Sequence, residues 1–437
     1  MISLEQISPV SSDVNADGHL VLAGVDVCDL VAEYGTPLYV MDLPTLRARC
    51  QAYQLGLSAR YPDFLVAYAG KAHLSTGLLA VLAQEGLGVD VVSEGELYTA
   101  MQAGMAPEKI VFHGNNKSIT ELTLAVKHDI RLVVDNLQEL ENLSGVCAIL
   151  AKKARILLRL KPGIEAHTHS YIRTGQVDSK FGMDLADMRL ALETISQASW
   201  CDFLGFHGHI GSQIFQLEPY QDLVAFMIDQ MILARDVYGL SVKEIDLGGG
   251  LGVLYTDADS PPSISSYLRL LATSLKEACE AKQLSLPKLI VEPGRSIVAQ
   301  AGVTVYTAGT IKPIPGIRDY LFVDGGMADN MRPLLYQAEY TWVVANRMLE
   351  QPVHTYTIAG KFCESGDVLA KDIHLPEVSV GDYIVSYTTG AYNYSMASNY
   401  NRFCRPAVVL VGDGHSRLLV KRETVSDVLR FDVWGPA

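Results

Sequence analysis

Phe64-Leu-Val-Ala-Tyr-Ala-Gly-Lys-Ala-His73 is an apolar run that ends in a lysine. Its first six residues read as a buried strand, because an unbroken apolar stretch with aromatic and branched members suits a sheet covered on both faces. Outward from it, similar runs begin near Gly88, Ile110, Ile130, Arg155, Phe203, Glu244 and Lys288, which makes eight strand candidates. Segments of helical periodicity lie between them; in one, Leu223, Phe226, Met227, Gln230, Met231 and Ala234 mark a mostly apolar face. Eight strand–helix units in succession point to an α/β fold with a closed (β/α)8 barrel of the TIM type, in preference to an open doubly wound sheet. The wider gap between the strands at Arg155 and Phe203 leaves room for a functional loop, Pro162 to Gly182.

The 437 residues, 49% hydrophobic, are enough for two domains. After Glu292 the texture changes. Ile297 to Thr310, Asp319 to Asp324, Val353 to Ala359, Asp382 to Tyr387 and Ala407 to Val411 read as strands between Gly, Pro and Asp turns. The spacing therefore predicts a barrel over 44–296 and a mostly antiparallel β domain over 297–437. Residues 1–43, with the strand-like Gly18-His-Leu-Val-Leu and Thr36-Pro-Leu-Tyr-Val, are expected to pair into that β domain.

Thirty-five basic residues stand against 49 acidic ones, a net charge of −14, with no basic stripe. Nucleic acid and anionic membranes are thus not expected partners. No apolar stretch is long enough to span a bilayer. The seven cysteines, at 28, 50, 147, 201, 279, 363 and 404, are scattered without a C-x-x-C pair, which argues against a disulfide framework or a structural zinc site. The opening Met1-Ile-Ser-Leu-Glu-Gln lacks the pattern of a secretory signal. A cytoplasmic location is expected, or an organelle stroma if a transit peptide has been removed.

Barrel enzymes place their sites where strands end and the following loops begin. Here those ends carry Lys71, Asp90 with Ser93, His113, Asp135, Arg159, His209, Gly248 to Gly250, and Glu292. Lys71 reads either as a strand-end lysine reaching solvent or as a desolvated amine that adds to carbonyl compounds. In Ile245-Asp-Leu-Gly-Gly-Gly-Leu-Gly252, successive glycines let backbone N–H groups close on an anion such as phosphate; a tight turn needs glycine too. The spacing lacks the G-x-G-x-x-G of a dinucleotide site. Phe206-His-Gly-His-Ile-Gly-Ser-Gln213 sets His207 and His209 on one side of a strand. That pair suits a metal, the face of a planar cofactor, or packing. Glu292, in Leu289-Ile-Val-Glu-Pro-Gly-Arg295, needs a partner if buried: a pyridinium nitrogen, or an internal bridge to Arg295 or Lys71. A carboxylate that keeps a pyridine protonated makes it a strong electron sink, suited to carbanion chemistry. In the β domain, Met331-Arg-Pro-Leu-Leu-Tyr336 supplies a fork for a carboxylate in Arg332 and a hydroxyl in Tyr336. Cys363-Glu-Ser-Gly-Asp367 joins a thiol able to donate a proton to a carboxylate able to hold an ammonium.

With these motifs the chain resembles the diaminopimelate decarboxylases, pyridoxal-phosphate enzymes built on an alanine-racemase-like barrel. The likeness runs from about Thr36 to Val411. Phe112-His-Gly-Asn-Asn-Lys-Ser118, Tyr171-Ile-Arg-Thr-Gly-Gln-Val-Asp-Ser-Lys-Phe-Gly182 and Ser395-Met-Ala-Ser-Asn-Tyr-Asn401 belong to it as well. The resemblance implies pyridoxal 5'-phosphate as cofactor, with Lys71 as its Schiff-base lysine, His209 stacked on its ring and Glu292 on its ring nitrogen. It further implies that Ser212, Gly249, Gly250 and Tyr392 hold the phosphate, with Gly294 and Arg295 in the same cofactor site. Arg295, Arg332 and Tyr336 would grip the distal carboxylate of an amino-acid substrate, with Glu364 on its distal ammonium and Tyr392 beside it. Cys363 would return a proton to the α-carbon. In this family Cys363 and Glu364 act in the partner's site, so a homodimer with shared active sites is implied; no metal is. The implied reaction takes meso-2,6-diaminopimelate to L-lysine and carbon dioxide at its D-centre.

Three alternatives stay in view: the same chemistry on ornithine or arginine, which lack a distal carboxylate for Arg332 and Arg295; a non-catalytic cofactor-binding homologue, against which the retained Lys71 and Cys363 speak; and a metal-dependent amidohydrolase, which would bind zinc and no coloured cofactor. The chain departs from the family at Gly70, where a larger apolar residue is usual, at His73, commonly Asn, and in Asn401-Arg-Phe-Cys-Arg-Pro406.

Overall fold

The structure, a computed structural model, describes residues 4–164, 179–433 and 435. The chain forms two compact units: Arg49–Gly252 with Pro261–Ser296, and Met1–Ala48 with Val253–Ser260 and Ile297–Ala437.

In the first unit eight parallel strands close into a barrel. They are Phe64–Ala69, Gly88–Val91, Ile110–Phe112, Arg131–Val134, Ala154–Leu160, Cys201–Gly208, Glu244–Asp246 and Lys288–Val291, here the first to eighth barrel strands. The eighth pairs back onto the first, Val291 opposite Val66. Each begins within about two residues of its expected start. Leu65, Ala67, Val111, Val133, Leu157, Leu204 and Ile290 pack into one cluster inside the barrel. The interior is therefore a solid floor, and chemistry is confined to the rim.

The helices begin on side chains that satisfy their free N–H groups: Ser75, Ser93, Ser118, Asn136, Asp184 and Ser263 each accept a backbone proton from the turn that follows. Ser93, grouped on sequence with the strand-end site residues, is the N-cap of helix Glu94–Gln102.

The second unit holds a nine-stranded sheet. Its spine is Gly302–Ile314, which pairs antiparallel with Leu38–Asp42, Arg318–Val323 and Tyr383–Ser386. The N-terminal segment thus enters this sheet through Leu38–Asp42, which also runs parallel to Ala407–Gly412. Leu20–Leu22, expected in the same sheet, instead forms a separate three-stranded sheet with Ser12–Val14 and Val25–Asp26. The expected strand at Ile297 starts later, because Arg295–Val298 is a helical turn.

Val253–Ser260, counted with the barrel on sequence, groups with the β-rich unit. The reason is packing: Tyr255 joins an apolar cluster with Tyr306, Tyr340 and Trp342, and Leu254 lies against the neighbouring cluster of Val303, Val305 and Tyr387. The boundary near residue 43 falls at Ala48, inside the helix Leu43–Ser58.

Candidate active site

Lys71 lies in a single 3-10 turn, Gly70–Ala72, immediately after the first barrel strand. Its side chain is about half exposed, and Nζ is 3.9 Å from Oδ2 of the buried Asp90. The amine therefore faces a carboxylate as well as solvent, and not the purely apolar site the sequence suggested. A Cβ at Gly70 would come within 2.9 Å of the Asp90 carbonyl, so the turn presses against the second strand.

Glu292 follows the eighth strand and is buried. The sequence offered Arg295 or Lys71 as its internal partner; the structure brings two imidazoles onto it, and the charge of Lys71 acts on it as well. His113 Nε2 is 2.5 Å from Glu292 Oε1, and His207 Nε2 is 3.3 Å from Oε2. The two rings meet edge to face, with centroids 4.7 Å apart. Burial raises Glu292 above the usual carboxylate range, although Asp246, Lys71 and Arg159 pull it down. Burial drives His207 well below the usual imidazole range, and brings His113 down to about 3. Both rings are neutral near pH 7.

His209 has a different partner. Its Nδ1 accepts the Gly249 N–H at 3.4 Å, which puts the ring proton on Nε2. His207 and His209 thus serve separate groups instead of converging on one ion.

The glycine loop is locked in place by its surroundings. Glu292 N donates to the Gly248 carbonyl at 2.7 Å, and Ile214 N to the Gly250 carbonyl at 2.9 Å. A Cβ on Gly249 would run into the Glu292 carbonyl. Gly250, at φ +111°, takes a conformation that favours glycine, and a Cβ there would strike the Gly211 carbonyl. Beside the loop, Arg295 Nη2 and Nε donate to Ser212 Oγ at 2.9 and 3.3 Å. Bare backbone, a hydroxyl and a guanidinium make a cradle whose chemistry fits a phosphate. Gly294 packs a would-be Cβ at 3.0 and 3.1 Å from the Cβ atoms of Ala69 and Ala72, so it sets the turn next to Lys71.

In the β-rich unit, Arg332 is buried among tyrosines. Its Nη1 donates to Tyr340 Oη at 2.8 Å, and its guanidinium carbon is 5.0, 5.8 and 5.8 Å from the ring centres of Tyr255, Tyr336 and Tyr340. Tyr336 closes the same short helix, Arg332–Tyr336. Tyr392 is partly buried and holds a left-handed φ of +61°.

Cys363 and Glu364 are exposed. Cys363 N donates to Asn401 Oδ1 at 2.9 Å, and Tyr400 Oη donates to Glu364 Oε2 at 3.4 Å. Asn401, the residue just before the departures at Arg402, Phe403 and Cys404, therefore sits directly against the thiol's backbone. Asp367 is the buried carboxylate of this turn and accepts Met327 N and Phe362 N at 2.7 and 2.9 Å. It shapes the loop and leaves Glu364 as the carboxylate available to a ligand.

The expected loop from Pro162 to Gly182, with the Tyr171–Gly182 segment, lies largely outside the described residues; its end places Phe181 under Arg159, 4.4 Å from guanidinium carbon to ring centre. The ring of His113, His207 and Asp246 around Glu292 was not foreseen from the sequence. The signal was present, since all three stand at strand ends, but spacing does not say which strand ends face one another.

A family model described as the pyridoxal-dependent decarboxylase, pyridoxal binding domain, matches residues 43–299. The fold is that of a pyridoxal-phosphate-dependent decarboxylase. Diaminopimelate decarboxylase of Synechocystis sp. is 46% identical over 98% of this chain and 93% of its own. That of Bacillus subtilis is 46% identical over 97% of both. The structure of diaminopimelate decarboxylase from M. jannaschii in complex with L-lysine superposes with a TM-score of 0.89 at 32% identity, covering 98% of this chain and 99% of that one. The chain belongs to the diaminopimelate decarboxylase family. Among the described residues no helix is long and apolar enough to cross a membrane.

Proposed function

We propose that this chain decarboxylates meso-2,6-diaminopimelate at its D-centre, releasing L-lysine and carbon dioxide, with pyridoxal 5'-phosphate as cofactor. The observation that carries the substrate choice is Arg332. It is buried, and among the described residues it forms an ion pair with no carboxylate. A buried guanidinium is stable only with a partner, and a distal substrate carboxylate is one that ornithine and arginine lack.

The cofactor supplies an electron sink for the bond to the departing carboxylate. Lys71 would hold the cofactor's aldehyde carbon, with Asp90 Oδ2 3.9 Å from its Nζ. Glu292 would hold a proton at the ring nitrogen, and His209 would cover the ring face. Ser212, Gly249, Gly250 and Tyr392 would hold the phosphate, while Arg295 donates to Ser212. Gly294 lets the turn after Glu292 approach Lys71.

Arg332 and Tyr336, with Arg295, bind the distal carboxylate, and Glu364 binds the distal ammonium. Cys363 Sγ returns a proton to the α-carbon. The exposure of both Cys363 and Glu364 supports their acting in the site of a partner subunit in a homodimer. A reducing cytoplasm fits the seven cysteines, all of them free.

The test is a comparison of substrates. Purified protein with pyridoxal phosphate should form lysine from meso-diaminopimelate and negligible amine from ornithine or arginine. Arg332→Met should lower kcat/KM for meso-diaminopimelate by about 10- to 150-fold, the worth of a charged hydrogen bond. Absence of lysine formation would sink the proposal.

A further inference from the structure

His113, His207, Asp246 and Glu292 close the third, sixth, seventh and eighth barrel strands, and one ligand atom of each lies within 4.8 Å of the others. All four are buried; Asp246 has no exposed surface. Two buried carboxyl groups this close do not both ionise, because each charge disfavours the other and neither is solvated. The hydrogen bonds decide which one keeps the charge.

Glu292 has an imidazole nitrogen on each oxygen, at 2.5 and 3.3 Å. Asp246 has the Gly248 N–H at 2.9 Å on Oδ1, while its buried Oδ2 meets no N–H or O–H donor and its carboxyl is paired with that of Glu292, to which a protonated Asp246 can donate. An anion is favoured where the donors converge, which is Glu292. The imidazoles agree with this. His207 Nδ1 is buried without a partner. A bare lone pair there costs less than an orphaned N–H, so the ring proton belongs on Nε2, aimed at Glu292. Burial pushes Asp246 far above the usual carboxylate range, and the neighbouring charge of Glu292 pushes it further. The surrounding charges are Asp90, 3.8 Å from His113 Nε2, which favours a charged His113, and Arg159, Lys71 and Lys117, which disfavour it.

We propose that His113, His207 and Asp246 are positioning residues for Glu292: the imidazoles donate their Nε2 protons to its two oxygens, and Asp246 carries the single proton of the carboxyl pair, so that Glu292 meets the cofactor's ring nitrogen as an oriented anion. This rests on the reading above that Glu292 serves that nitrogen. It assigns Asp246 a neutral state, so an amide should replace it; it assigns His113 a donor, so another donor should replace it but an isosteric hydrocarbon should not.

The experiment measures pyridoxal phosphate affinity of the full-length protein and the absorbance band of the bound cofactor, with thermal unfolding as the control for folding. Asp246→Asn and His113→Gln should keep both within about threefold of wild type. His113→Leu should weaken cofactor binding about tenfold and move the band toward that of Glu292→Gln, since a hydrogen bond to a charge is lost. If Asp246→Asn behaves like Glu292→Gln, or His113→Leu like wild type, the assignment of proton and donors is overturned. If Glu292→Gln itself matches wild type in affinity and band, the ring-nitrogen contact fails first, and the positioning role falls with it.

Discussion

Arg131 and Glu244, the opening residues of the fourth and seventh barrel strands, form a two-pronged ion pair: Nε to Oε2 at 2.5 Å and Nη2 to Oε1 at 2.8 Å. Both are buried, and Arg131 Nη1 also donates to the Glu108 carbonyl at 3.0 Å. Because each starts its strand, the pair closes the end of the barrel opposite Lys71 and Glu292. Its duty is structural. Glu244→Ala should destabilise the protein by about 3–5 kcal/mol, because it strands a buried guanidinium. Urea unfolding measures the loss, and cofactor affinity under native conditions should stay near wild type. A large loss of affinity with unchanged stability would contradict this division of labour.

Gly249 and Gly145 should respond oppositely to the same substitution. A methyl group on Gly249 collides with the Glu292 carbonyl, whereas one on Gly145, inside helix Leu137–Leu150, meets nothing within 4 Å. Gly249→Ala should abolish measurable cofactor binding. Gly145→Ala should raise stability by up to about 1 kcal/mol with binding unchanged, since alanine loses less chain entropy in a helix. Calorimetry and a cofactor titration on the two variants check both signs.

Shared active sites have a direct signature. Lys71→Ala and Cys363→Ala chains, each nearly inactive alone, should regain activity when mixed into one dimer, because one of the two sites then has both groups. The expected recovery is about a quarter of wild-type specific activity for a random equimolar mixture, half the dimers being mixed and each holding one good site of two. Proven heterodimers without recovery would place both residues in the same subunit's site.

The imidazole of His113 makes acid stability a readout of its burial. Burial, reinforced by Arg159, Lys71 and Lys117 against the pull of Asp90, lowers it from 6.5 to about 3. Between those values the unfolded chain binds a proton on His113 that the folded chain refuses. Its contribution to stability therefore falls as the pH drops through that window. Wild type should lose more unfolding free energy between about pH 7 and pH 5 than His113→Gln, which has no imidazole at 113 to titrate. Equal losses would show that His113 accepts a proton in the folded state at pH 5.

The barrel was legible from Phe64 onward because parallel strands buried on both faces write themselves as apolar runs, and the helices between them repeat at a different period. The β-rich unit was less so. Val368–Leu375 carries Lys371 and Asp372 in its middle, with Asp372 at φ +56°, and lies at the sheet edge, where burial imposes no alternation. Leu20–Leu22 was legible as a strand, but its partners were not, since pairing depends on where the chain returns.

By itself the sequence determined the fold class, the chemistry-bearing residue types and their places at strand ends: Lys71, His209, the glycines at 248 to 250, and Glu292. Local pattern suffices for these, because strand, turn and helix are each set by near neighbours. Only the tertiary structure decided that Glu292 is gripped by His113 and His207, that Asp246 lies close enough to compete for its proton, and that Arg332 is buried without a carboxylate among the described residues. Barrel closure brings strands three, six, seven and eight to one rim, and partners that far apart in the chain are chosen by closure and packing, which no local spacing encodes.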